Sequence, residues 1–314
     1  MNHQPPTTNQ RRTANIFVAR VKCLEIASRS QPGSGCTGND MTRLRRASVA
    51  GTWYPDQPAR LVAEVERYLD RAHVDDVPTT LRAIVAPHAG LMYSGPVAAY
   101  AYTVAHHHQH SALVMVGPSH FVSFRGVAIW PDGEWETPLG PVRVNGDLAA
   151  ALASASSQII ELPAAHGREH SLEMQMPFVA HLLANVPIVP MVMGEQTRET
   201  AFALGAAIAR VVQTHAPDAL LIASSDLSHY EDATTAASLD ARVIEHVERL
   251  DPEGLMRALE VEPRHACGGG PMVAVLDAAR RLGATQSRLL QYADSGDVSG
   301  DKSSVVGYMA AAIW

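Results

Sequence analysis

Six short apolar runs punctuate the chain: Arg82 to Pro87, Ala112 to Gly117, Pro187 to Met193, Ala219 to Ala223, Arg288 to Ala293 and Val305 to Ala311. They do not alternate apolar with polar residues, and turn-forming residues bound them. This is the pattern of strands buried on both faces. Between or before them lie stretches with helical periodicity: Pro58 to Ala72, Pro96 to His107, Ser171 to Leu183, Thr200 to Gln213, Ala236 to Glu248 and Pro271 to Leu282. Strands that alternate with helices predict an α/β fold, a single doubly wound and mostly parallel sheet flanked by helices. Gly126 to Val144, with its ETPLG turn, reads as a β-hairpin inserted in that series. No long linker or fixed-period repeat divides the α/β region, so residues 47–314 are expected to form one domain.

The composition agrees with this picture. Of 314 residues, 46% are apolar and 18% charged, which excludes a disordered or fibrous chain. Arg, His, Asp or Glu interrupts every apolar run before it reaches membrane-spanning length, so no membrane span is expected. A formal net charge of −7 gives no basic footprint for nucleic acid. Three cysteines, Cys23, Cys36 and Cys267, make neither a CxxC pair nor an even disulfide framework, which favours a reducing cytoplasm. Residues 1–46 differ from the rest: eight Arg or Lys against two acids give this stretch +6, with −13 left for the remainder. It lacks a signal-peptide apolar core and is expected to be a disordered basic extension, with Met41 an alternative start and an organelle transit peptide the other reading.

In an open α/β sheet, ligands bind outside the carboxyl ends of the strands. Three of the runs end in a similar way. RAIVAPHAG puts His88 just past its strand, LVMVGPSH does so for His120, and LIASSDLSHY for Asp226 and His229. If those strands are neighbours, the histidines converge on one crevice, where neutral imidazoles can bind a borderline metal or relay protons. His106, His107, His108 and His110 invite a metal reading too. They close a helix and enter a loop, however, where adjacent side chains diverge. Cys267 lies in RHACGGGP, at a glycine turn before a helix N-terminus, a setting that favours the thiolate. In GREHSLEMQMPF, Glu169, His170 and Glu173 are candidates to border the crevice, but Ser171 and Glu173 at a helix start are equally explained by capping, so only Glu169 and His170 are kept as candidates for supporting the crevice residues from behind. Walker, GxGxxG, HExxH and GxSxG motifs do not occur.

In order along the chain stand GTWYP, APHAGLMYSG, GPSH, ETPLG, EHSLEMQMPF, SSDLSHY, CGGGP, SGD and VVGY. Together these motifs resemble the Memo-like family, called AmmeMemoRadiSam system protein B in prokaryotes, from about Val49 to Trp314. The resemblance implies a fold similar to the class III (LigB-like) extradiol dioxygenases, in which two His and a carboxylate hold Fe(II). Carried onto this chain, it implies His88, His120 and Cys267 as metal ligands. His229 is then expected as acid/base, with Asp226 orienting His229 or a metal-bound water. A thiolate in place of the carboxylate softens the site, so copper and zinc compete with iron. The leading expectation is a non-haem iron redox protein acting on a small molecule. A zinc-dependent hydrolase and a phosphotyrosine-peptide-binding scaffold are the rivals. The resemblance further implies radical-SAM and AMMECR-like protein partners. Arg125, Arg168 and Arg264 are too scattered in the sequence to make an evident phosphate clamp.

Overall fold

The computed structural model describes residues 43–314. Residues 1–42 of the expected disordered extension, with the alternative start at Met41 and with Cys23 and Cys36, lie outside the described residues. In chain order the first half comprises β1 (Leu44–Arg45), α1 (Pro58–Leu69), β2 (Ala83–Ala86), α2 (Leu91–His106), β3 (Leu113–Pro118), β4 (Val127–Ile129), β5 (Glu134–Trp135), β6 (Val142–Arg143), α3 (Gly146–Ala155), β7 (Ile159–Glu161) and α4 (Pro163–His166). The second half comprises α5 (Met176–Leu182), β8 (Ile188–Met193), α6 (Arg198–His215), β9 (Leu220–Ser224), β10 (His229–Glu231), α7 (Ala233–Glu248), α8 (Pro252–Val261), α9 (Gly269–Arg281), β11 (Ser287–Asp294), α10 (Gly296–Ser299) and β12 (Val305–Ile313).

The apolar runs became the sheet. β2, β9, β3 and β8 lie side by side and parallel, and they form its centre. β12 extends it antiparallel beyond β2 and carries both β10 and β11; β4 extends it antiparallel beyond β8, followed by β7. Alternate residues of each central strand enter two separate apolar layers. Val85, Val114, Met191 and Ala223 pack with Leu152, Leu204, Val243, Leu255 and Val275 of α3, α6, α7, α8 and α9. Ile84, Met115, Val192 and Ile222 pack with Leu61, Tyr102 and Phe178 of α1, α2 and α5. With apolar partners on both faces, these strands have no reason to alternate with polar residues. Among the described residues no helix is long and apolar enough to cross a membrane.

Several expectations shift in detail. α2 starts at Leu91, so Pro96 sits inside it rather than at its first position. The helix expected from Ser171 is a 3₁₀ turn at Glu173–Gln175 followed by α5, with Pro177 in the first turn of α5. The periodicity reading passed over α3 and α8, yet each is capped by an Asn or Asp: Asn145 accepts from the Leu148 N–H at 3.0 Å, and Asp251 from Gly254 at 2.8 Å. Within the expected hairpin, β4 joins the main sheet, while β5 and β6 pair antiparallel in a small separate sheet.

The third strand of that small sheet is β1, parallel to β5. Arg45 on β1 is 2% exposed, lies 4.6 Å over the Trp135 ring and donates to a Glu173 carboxylate oxygen. Leu44 and Arg45, counted by composition with the basic extension, are thus strand residues. A basic composition does not reveal that one of its arginines has a buried acid waiting 128 residues away.

Candidate metal centre

β2, β9 and β3 are neighbours in the order β2–β9–β3, so the turns that follow them meet. His88 follows β2, His120 follows β3, and Asp226 and His229 follow β9. Cys267 arrives from the turn before α9. Its approach depends on Gly268, where a side-chain Cβ would come within 2.5 Å of the Ser224 carbonyl oxygen and 2.9 Å of Ser225 Oγ. One donor atom each from His88, His120 and Cys267 lies within 4.8 Å of the other two. The His88 and His120 ring centroids are 5.4 Å apart. Donor atoms of Asp226, His229 and Cys267 meet the same limit.

These residues line a cavity of about 380 Å³ together with Trp53, Ala89, Gly90, His170, Tyr230 and Val306. Cys267 also borders a larger hollow of about 550 Å³ between α6, α8 and α9, which no histidine lines. The chemistry therefore belongs to the smaller cavity. His170 forms one wall of it, stacked on His120 at 4.5 Å and set against Trp53 at 4.4 Å.

The hydrogen bonds show how each group is held. His88 Nδ1 lies 2.9 Å from Ser224 Oγ, and His120 Nδ1 lies 2.9 Å from Glu169 Oε1. Glu169 also accepts from the backbone N–H groups of His120, His170 and Ser171. Burial alone would raise its pKa, but the hydrogen bonds and charge of His120 and the Ser171 N–H carry it down to about 2. Burial, with the neighbouring histidines adding to it, drives His88 well below the ordinary histidine range, so its ring is neutral. Burial, then His120, lowers His170 to about 4.

Asp226 and Cys267 meet surroundings that the sequence did not reveal. Asp226 does not hold the His229 ring; its Oδ1 accepts the backbone N–H of His88 at 2.7 Å and of Ala89 at 3.3 Å, while His229 Nδ1 lies 2.9 Å from the Leu227 carbonyl. Burial raises Asp226 to about 6, although those backbone donors oppose the shift. The thiolate expected for Cys267 from its helix N-terminus is outweighed as well: burial, reinforced by the charge of Asp226, pushes the thiol pKa far up. In metal-free protein the sulfur is a thiol.

Ser171 and Glu173 also differ from expectation, for neither caps a helix. Ser171 Oγ donates to the Pro118 carbonyl, and Glu173 is fully buried, accepting from Arg45, the Ser48 and Val49 N–H groups and the Tyr54 hydroxyl. This ties the GTWYP segment, and Trp53 with it, to the cavity. The histidines at the end of α2 take no part; His110 Nε2, for example, lies 2.9 Å from the Ala105 carbonyl. The three arginines stay apart: Arg125 pairs with Glu195, Arg264 with Glu231 and Glu262, and Arg168 lies over Phe121. Sequence reasoning gave no role to Trp53, Tyr230, Ser224 or Gln175. Their only signal was membership in quoted motifs.

The donor set suits a transition metal. Two imidazoles and a sulfur are borderline-to-soft donors, and both rings have their Nδ1 atoms engaged elsewhere, which leaves Nε2 for the cavity. The chain matches the Memo-like protein family over residues 45–312. It is 40% identical over 275 residues to a MEMO1 family protein of Methanothermobacter thermautotrophicus, covering 84% of this chain and 98% of that one. It is 39% identical over 280 residues to a MEMO1 family protein of Thermotoga petrophila, covering 86% and 99%. Among solved structures, an uncharacterized protein from Escherichia coli K12 superposes with a TM-score of 0.50 at 15% identity, over 73% of this chain and 99% of that one, a likeness of fold.

Proposed function

The chain belongs to the Memo-like protein family, and from its pocket we propose that it is a metal-binding redox protein in which His88, His120 and Cys267 hold one Fe(II). One observation carries this reading: donor atoms from the ends of β2 and β3, the strands on either side of β9, and from the turn before α9 meet within 4.8 Å in a cavity with room for a small molecule. When bound, the metal would supply Lewis acidity and one-electron chemistry at the cavity floor.

The chain's own residues do the rest. Asp226 fixes the backbone of His88 and so the height of that ring. His229 gives its Nδ1–H to Leu227, which leaves Nε2 free to take a proton from a substrate hydroxyl and return it. Trp53 and His170 line the cavity with aromatic rings against which a planar ligand can pack. Glu169, held as a carboxylate, orients His120.

Metal analysis of untagged protein should give near one equivalent, falling steeply in His88→Ala and in Cys267→Ser. Unchanged content in both variants would sink the site. Oxygen uptake on a catechol panel with Fe(II), set against ester hydrolysis with Zn(II), tests the redox assignment; hydrolysis without oxygen uptake would replace it by a zinc hydrolase.

A further inference from the structure

The segment Glu169–Gln175 has a role that neither capping nor core packing explains. Three hydrogen bonds meet at Ser224 Oγ. It lies 2.6 Å from the Ser171 carbonyl oxygen, 2.8 Å from Gln175 Nε2 and 2.9 Å from His88 Nδ1. A hydroxyl has one proton and two lone pairs. The Ser171 carbonyl can only accept, so the serine proton goes there; otherwise two acceptors would face each other at 2.6 Å. Gln175 Nε2 can only donate. Its amide orientation is not ambiguous, because the same nitrogen lies 3.1 Å from the Pro87 carbonyl while Oε1 accepts from the Tyr102 hydroxyl at 2.9 Å. One lone pair of Ser224 therefore remains, and His88 Nδ1 must donate to it.

We propose that Ser224 is a positioning residue that fixes His88 as its Nδ1–H tautomer, so that the bare Nε2 faces Cys267. The Ser171–Ser224–Gln175 junction is buried throughout, and no water has to be invoked to satisfy it. The same short segment does the equivalent for the second histidine, since Glu169 accepts from His120 Nδ1. One stretch of chain thus prepares both rings: Glu169 directly, and Ser171 with Gln175 through Ser224. The 3.2 Å approach of Cys267 Sγ to His88 Nε2 fits, with the thiol donating to the unprotonated nitrogen. The inference rests on the reading of the pocket as a metal centre for its purpose, though not for its geometry.

The test uses metal-free full-length protein labelled with ¹⁵N in histidine. Two-bond ¹H–¹⁵N correlations show which ring nitrogen carries the proton, and the spectrum of His88→Gln assigns the signal. Wild type should carry it on Nδ1 of His88. In Ser224→Ala the preference should be lost and affinity for Co(II), the probe metal, should fall 10- to 100-fold, as for other residues that orient metal-bound histidines. Ser224→Thr, which keeps the hydroxyl, should retain the wild-type proton position. A wild-type proton on Nε2 overturns the proposal whether or not Ser224→Ala folds. So does an alanine variant that loses thermal stability yet keeps its proton on Nδ1, since Ser224 would then be merely structural. Wild type with the proton on Nδ1 but without Co(II) uptake would instead overturn the metal reading and leave the tautomer assignment standing.

Discussion

Nε2 of His88 lies 3.2 Å from Sγ of Cys267, a pairing made across 179 residues of chain. A metal held there would keep this sulfur as a thiolate, the form that oxidants attack, in a cavity that a small molecule can enter. With Cys23→Ser and Cys36→Ser in place, Cys267 is the only thiol left of three. Metal content should then fall with peroxide dose as sulfenic and sulfinic acid appear by mass spectrometry. Constant metal content, with thiol labelling only after unfolding, would remove Cys267 from the site.

Arg45 and Glu173 form an ion pair whose side chains are 1% and 0% exposed. Removing one partner leaves the other charged and buried. Arg45→Met should lower stability by about 3–5 kcal/mol in urea unfolding. Arg45→Met combined with Glu173→Gln should recover part of that loss, because the unpaired charge is gone. A double variant no better than the single would show that packing of Arg45 on Trp135 is the larger contribution.

His166 is fully buried beside Trp130 and Trp135, and burial, aided by the charge of Arg45, lowers its pKa to about 3. The unfolded chain takes up a proton near pH 6.5 that the folded ring refuses, so stability present above that pH is lost as pH falls toward 3. From pH 7 to pH 5 this one group should cost about 2 kcal/mol. In His166→Leu the difference in unfolding free energy between those two pH values should shrink by that amount. An unchanged difference would mean the ring is protonated in the fold.

Gly307 of the VVGY motif holds the loop bearing Asp226 and His229. Its N–H donates to Ser228 O at 3.0 Å, and its carbonyl accepts from Leu227 at 2.8 Å. A Cβ at this position would run into the carboxylate of Asp240, which itself accepts from the Ser228 N–H and the Tyr292 hydroxyl. Gly307→Ala should lose about 1–3 kcal/mol in urea unfolding and shift the NMR signals of the His229 ring. A variant with wild-type stability would show that Asp240 moves aside freely.

Local pattern carried much of this protein into view. The apolar runs announced strands covered on both faces, because a residue between two helix layers has no solvent side to mark. The positions just beyond those runs announced the histidines and Asp226, because a buried strand has no need of polar residues at its end. What the pattern did not contain was every contact between distant segments. That β2, β9 and β3 are adjacent, and so bring His88, Asp226 and His120 to one place, is a matter of strand order, which no local periodicity encodes. Arg45 reads as one more charge in a basic tail until Glu173 is placed beside it in the core. The pKa of Cys267 reverses its sequence expectation because burial and the charge of Asp226 outweigh a helix N-terminus. The proton on His88 is decided by three hydrogen bonds at Ser224 that join the end of β9 to the turn after β2 and to the segment holding Ser171 and Gln175. Hydrophobic periodicity belongs to the chain, whereas desolvation, charge pairing and hydrogen-bond saturation depend on what each group meets after folding, and the site's chemistry resides in these.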